Sequence, residues 1–320
     1  MQYRFLWRTG LRVSEIGLGT WAMGGPTEVD GKPIGWGPAD DAQSLRALQR
    51  ARELGVNFFD TADVYGFGHA EELLGQAFGG RWEGCHVATK VGNVRAPGGR
   101  TEKNFSREYI LRACEESLRR LRKDTIDLYQ LHNPSLDILR SGDWPDTLEE
   151  LRAAGEIRFY GVSITTVEEA KAFLDRDSGD TIQLVYNLLR QEMAEMFPLT
   201  QRKGIGVIAR VPLFYGLLTG KISPDTRFPP DDHRSARFPA DVLVTELRKV
   251  EKLKFLVHPN RTLAHAALKF ILSHPAVSCT IPGGRNERQV EENCCASDGH
   301  LLSREELDRI QALRAGDLGI

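Results

Sequence analysis

Asp60, Tyr65, Lys90 and His132 each lie in or just after a short apolar run that reads as a strand. "VNFFDTA" carries Asp60 and leads on to Tyr65, "CHVATKVG" carries Lys90, and "IDLYQLH" ends at His132. A phenol is a poor acid at neutral pH, with an unperturbed pKa of roughly 10. A nearby ammonium stabilises the phenolate and lowers that pKa, while an aspartate beside the lysine holds the cation in place. The four residue types together predict a proton donor, Tyr65. His132 would orient a carbonyl oxygen or relay a proton.

What accompanies these residues narrows the chemistry. No serine stands in a nucleophile elbow, and there is neither an HExxH motif nor a carboxylate–histidine metal cluster. Carbonyl reduction by an external hydride donor therefore fits better than hydrolysis, and no metal is expected. A barrel aldolase or hydrolase using Lys90 as a Schiff-base nucleophile is the other chemistry open to this set. Singly, Asp60 reads as a helix cap, Lys90 as a snorkelling lysine and His132 as a core histidine. Only a fold that brings strand ends to one rim joins them.

The elements supply such a fold. After the opening "EIGLGTW" come "VNFFDTA", "CHVATKVG", "IDLYQLH", "RFYGVSI", "IQLVYNLL", "GVIARVPL" and "VSCTIPG", eight strand candidates in all. Amphipathic stretches alternate with them, among them "DDAQSLRALQRAREL", "HAEELLGQAF", "SREYILRACEESLRRLRK" and "TLAHAALKFILSH". Thr166 and Glu169 have capping-box spacing, and Gly55, Gly155 and Gly204 can end helices in the left-handed region.

Eight strand–helix units in 320 residues predict an α/β fold of the (β/α)8 TIM-barrel type, with the active site at the C-terminal strand ends. The first strand is followed by no GxGxxG, which argues against a Rossmann fold. "YRFLWRTGLRVSEI" predicts an N-terminal β-hairpin turning at Thr9–Gly10 and capping the barrel floor. The irregular stretch from Ser223 to Asp241, after the seventh strand, is long enough to be a lid. No linker divides the chain, so residues 1–320 are expected to form a single domain.

Composition excludes other classes. With 41% hydrophobic residues, 27% charged and a formal net charge of −2, the chain reads as a soluble protein without a basic surface. Neither nucleic acid nor a membrane is expected as a partner. With no leader and no membrane-spanning apolar run, a cytoplasmic location is expected. The five cysteines, Cys85, Cys114, Cys279, Cys294 and Cys295, lack ligand spacing and read as reduced thiols. Of the aromatics near the strand ends, Trp21 alone is assigned to the mouth.

Six segments in this order, "GVNFFDTADVYGFGHAEELLG", "TKVG", "DLYQLHNP", "GEIRFYGVS", "VPLFYGLLTGK" and "IPGGRNERQVEEN", resemble the aldo-keto reductases from the first hairpin almost to the end. The resemblance implies that Asp60, Tyr65, Lys90 and His132 form a catalytic tetrad; Asp63 receives no role. It implies NADPH lying extended across the barrel mouth and a small carbonyl substrate. Thr20 and Trp21 would line the nicotinamide side, with Ser163 and Gln183 at its carboxamide.

Arg210 stands where many members stack an aromatic on the nicotinamide, and Ile164 where they usually have Asn. Pro212, Leu213, Gly216 and Lys221 would follow the pyrophosphate. Gly283, Arg285, Gln289, Glu292 and Asn293 would hold the adenosine half, with Arg285 near the 2′-phosphate. "GGRNER" beside a helix start offers backbone N–H groups and the guanidinium candidates Arg285 and Arg288, favouring NADPH over NADH. Some relatives are channel-associated regulatory subunits that tend to lose the tetrad histidine, and His132 is kept here.

Overall fold

Parallel strands covered on both faces need apolar side chains along their whole length, and these runs have them. Leu18–Gly19, Phe58–Asp60, His86–Val91, Ile126–His132, Ile157–Ser163, Thr181–Val185, Gly206–Arg210 and Val277–Thr280 pair in chain order into one eight-stranded parallel sheet. The computed structural model describes residues 1–29, 32–95 and 101–316. Isolated bridges Ile16–Thr280 and Gly19–Gly283 close the sheet on itself. Gly17 and Gly19 N–H donate across this seam to the carbonyls of Thr280 and Pro282, at 2.8 and 3.0 Å. The expected barrel therefore forms from the expected strands.

The interior is filled, not open. Phe58, Ala88, Leu128, Ile208, Cys279 and Ile281 meet inside the sheet and pack on Leu6, Leu11 and Val13 of the N-terminal hairpin. That hairpin pairs Tyr3–Phe5 with Arg12–Ser14, antiparallel. It reverses through Trp7–Thr9 and Gly10, whose φ of 66° suits glycine. The floor is thereby plugged, leaving the C-terminal rim as the open end of the barrel.

Local sequence positions the outer helices. Asp40, Ser106, Thr166, Thr262 and Asn286 cap helix starts with their side chains, and Thr166 and Glu169 form the expected capping box. Gly204 ends its helix in the left-handed region at φ 65°. Helices Leu136–Ser141, Ala240–Lys252 and Arg304–Gly316, and the strand pair Asn93–Arg95/Thr101–Lys103, were not anticipated. Ala240–Lys252 starts within the stretch read as irregular, because its first turn follows directly on Pro239. The stretch also holds one helical turn, Arg234–Arg237.

This segment crosses the rim to meet the loop after the first strand. Asp232 bridges Trp36, and both the backbone N–H and the ring Nδ1 of His233 lie 3.0 Å from the Gly35 carbonyl oxygen.

Leu6 is fully buried at the floor. Leu6→Ala is expected to lower unfolding free energy by about 2–5 kcal/mol, read from urea titration, because the rigid strand ring cannot collapse into the void. A loss well below that range would mean that the hairpin does not plug the barrel.

Candidate active site

Parallel register brings the chemistry together. Asp60 ends the second strand opposite Ala88, Lys90 on the third lies opposite Gln130, His132 ends the fourth opposite Ser163, and Ser163 pairs with Gln183. Between Asp60 and the helix His69–Phe78 the chain makes tight turns, with Tyr65 N–H donating to the Ala62 carbonyl at 3.1 Å. These turns carry Tyr65 back over the strand ends.

Lys90 is fully buried, and its ammonium spends its three donors on Asp60 Oδ1 at 2.6 Å, the Thr61 carbonyl at 2.7 Å and Tyr65 Oη at 3.3 Å. Gln183 Nε2 donates to the second Asp60 oxygen at 2.7 Å, and Ser163 Oγ donates to Gln183 Oε1 at 3.2 Å. His132 meets the Tyr65 ring edge-on at 5.9 Å, and Trp21 stacks on Tyr65 at 6.2 Å. His132 Nδ1 is enclosed without a hydrogen-bond partner among the described residues.

The charge states follow from burial set against partners. Burial pushes Lys90 down, but Asp60 and Tyr65 outweigh it and hold the ammonium above its ordinary value. Burial, with Lys90, Lys103 and Arg210 adding to it, pushes His132 well below an ordinary histidine, so the imidazole is neutral. Tyr65 corrects an expectation. Lys90 does pull the phenol down, yet burial pushes harder and the net shift is upward. The phenol is protonated, beside a charged lysine and a neutral histidine.

The remaining predicted residues form a band along the rim. Thr20 is buried, its hydroxyl on the Asp60 carbonyl at 3.1 Å. Arg210 Nη2 donates to the Ile164 carbonyl at 3.0 Å and to Thr165 Oγ1 at 3.5 Å. Pro212, Leu213 and Gly216 lie in a turn where Val211, Phe214 and Tyr215 take φ of 56°, 44° and 56°. Left-handed backbone at non-glycine residues costs of order 1–3 kcal/mol each and clusters at functional sites.

Lys221 pairs with Glu292 at 2.6 Å, and Asn293 donates to the Gly283 carbonyl at 3.1 Å. Arg285 N–H donates to Gln289 Oε1 at 2.9 Å, and its Nη1 donates to the Trp36 and Pro38 carbonyls at 3.1 and 3.3 Å. Sequence reasoning missed two rim residues. Lys103 donates to the His132 carbonyl at 2.8 Å, and His233 sits 4.7 Å from both Trp21 and Trp36. Neither belongs to a local pattern that would have marked it.

Residues 15–315 match the Aldo/keto reductase family. The chain belongs to this family. A probable voltage-gated potassium channel subunit beta from Oryza sativa subsp. japonica is 33% identical, over 98% of this chain and 96% of its own. An aldo-keto reductase from Bacillus halodurans, solved in its holo form, superposes with a TM-score of 0.82 at 31% identity, over 98% of this chain and 96% of that one. An aldo/keto reductase from Klebsiella pneumoniae, solved in complex with NADP and acetate, superposes with a TM-score of 0.71 at 27% identity, over 98% and 95%.

As an aldo-keto reductase the chain is an oxidoreductase of carbonyl groups. Among its described residues no cluster of three or more His, Cys, Asp or Glu could hold a metal, and no helix is long and apolar enough to cross a membrane.

The depressed His132 makes a pH prediction for this reductase. Its folded pKa lies below the unfolded one, so below about pH 6.5 the unfolded chain binds a proton that the folded chain refuses. Stability should be full above that pH and fall as the pH drops. Between pH 7 and 5 the wild type should lose about 1–2 kcal/mol more than His132→Gln in denaturant titrations. Equal losses would mean that His132 is not held neutral.

Proposed function

We propose that the chain, acting as one domain, is an NADPH-dependent reductase of aldehydes or ketones, with Tyr65 as proton donor. The observation that carries this is the protonated Tyr65 phenol 3.3 Å from a fully buried Lys90 that Asp60 locks at 2.6 Å. As the carbonyl oxygen gains charge, Tyr65 gives it a proton and Lys90 stabilises the phenolate left behind. Asp60 keeps the ammonium in place, and the neutral His132 orients the oxygen. Alcohol oxidation runs through the same groups in reverse.

When bound, NADPH supplies the hydride. The rim band supports an extended dinucleotide. Thr20, Trp21, Ser163, Gln183 and Arg210 would surround the nicotinamide, with the guanidinium stacking on the ring. Pro212, Leu213, Gly216 and Lys221 would follow the diphosphate. Gly283, Arg285, Gln289, Glu292 and Asn293 would take the adenosine end. Exposed Gly283 and half-buried Arg285 leave room and donors for it, since two carbonyl contacts do not exhaust the guanidinium's five N–H groups. The NADP of the Klebsiella relative supports the phosphorylated cofactor. The likeness to a channel subunit does not displace this reading, because His132 completes a tetrad suited to turnover.

The test is NADPH oxidation with an aldehyde panel, wild type against Tyr65→Phe, with NADH as the cofactor control. Tyr65→Phe should cut turnover roughly 10²–10⁴-fold while NADPH still quenches tryptophan fluorescence normally. Lost cofactor binding would remove Tyr65 from the acid role. Arg285→Ala should weaken NADPH far more than NADH, and equal weakening would place Arg285 away from the 2′-phosphate.

A further inference from the structure

Arg210 ends the seventh strand, opposite Val185, on the rim that carries the tetrad. Among the described residues its hydrogen bonds go to neutral acceptors, the Ile164 carbonyl and Thr165 Oγ1. Its Nε is enclosed without a hydrogen-bond partner among the described residues, and none of them places a carboxylate within ion-pair distance of the guanidinium. Other sheltered cations of this chain are paired: Lys90 with Asp60 at 2.6 Å, Arg120 with Glu71 at 2.7 Å, Arg190 with Glu246 at 3.0 Å. A sheltered, unpaired charge is costly, so an arginine held this way needs an anion from elsewhere.

The surroundings carry the same surplus. The charges acting on His132 are Lys90, Lys103 and Arg210, all cations, and the Arg210 charge reaches Tyr65 as well. Asp60 is committed to Lys90. Glu169 is committed to capping, accepting from the N–H groups of Thr165 and Thr166 at 2.7 and 2.9 Å. Asp63 faces Lys103 and accepts from Tyr109 Oη at 3.4 Å, with burial and Glu71 pushing its carboxyl well above the usual range. The rim beside the proton donor thus gathers three cations, Lys90, Lys103 and Arg210, while Asp60 and Glu169, the carboxylates that act on Arg210, bond to other groups and form no ion pair with it.

We propose that Arg210 anchors a carboxylate of the substrate, so that the preferred carbonyl compounds are oxo acids or aldehyde acids. A planar fork of donors suits a carboxylate better than a carbonyl alone. Stacking on the nicotinamide would use the guanidinium face and leave this N–H edge to the anion. The cofactor's phosphates have their own cations in this reading, Lys221 along the diphosphate and Arg285 near the 2′-phosphate. The inference rests on reading the mouth as a carbonyl-reductase site.

Butyrate and butyramide match in shape and differ in charge, which makes them the probes. Their binding to the NADP+-loaded protein is read from tryptophan fluorescence, since Trp21 stacks on Tyr65. Butyrate is expected to bind roughly 10–100-fold more tightly than butyramide. Arg210→Gln should abolish that ratio, and Arg210→Lys, which keeps the charge without the fork, should restore part of it.

Equal affinities in the wild type, or a ratio that survives Arg210→Gln, would overturn the proposal. If Arg210→Gln loosens NADP+ tenfold or more but leaves the ratio intact, the anion belongs to the cofactor and the proposal also fails. Wild-type turnover of neutral butanal, measured alongside, separates failure of this inference from failure of the reductase reading.

Discussion

A lysine with no solvent exposure sets the terms for the rest of this barrel. An ammonium inside a protein must have every proton placed, and removing one partner of such a pair costs about 3–5 kcal/mol. Lys90 meets the requirement with one carboxylate, one carbonyl and one phenol drawn from a single stretch, Asp60 to Tyr65. That stretch can reach it only because the second and third strands run parallel in register, with Asp60 opposite Ala88. The turns that return Tyr65 to the rim follow from the same demand.

The carboxylate in turn needs holding, and its support comes from farther around the ring. Gln183 on the sixth strand reaches the second oxygen of Asp60, and Ser163 on the fifth orients Gln183. A side chain 123 residues away in sequence therefore fixes the ion pair, which ties the geometry of the site to closure of the barrel. Elsewhere the polar networks serve stability. Asp127 near the floor gathers His86, Lys123 and Arg158, away from the reactive rim.

Much of this was legible in the chain because it rests on local rules. Strand candidates with apolar runs, the Thr166–Glu169 box and the Gly10 turn all declare themselves within a few residues, and parallel strand order then brings Asp60, Lys90 and His132 to one rim. What escaped was decided at long range. The upward shift of Tyr65 depends on how deeply the folded barrel buries it, a quantity no spacing encodes. The pairing of Arg285 with the Trp36 and Pro38 carbonyls spans 249 and 247 residues, and Lys103 reaches His132 from a strand pair that shows no clear alternation. The helix Ala240–Lys252 was missed because the stretch read as irregular, Ser223 to Asp241, runs into its first turn, and no element was assigned directly beyond it.

The contact between His233 and Gly35 joins two segments 198 residues apart. One carbonyl oxygen accepts from the backbone N–H and the ring Nδ1–H of one histidine, so the loops after the first and seventh strands share a single fastening point over the rim. Each such bond contributes about 1 kcal/mol net. A fastening of this size joins the two loops without locking them together. The link between these loops can thus be changed at His233 without altering any residue of the tetrad.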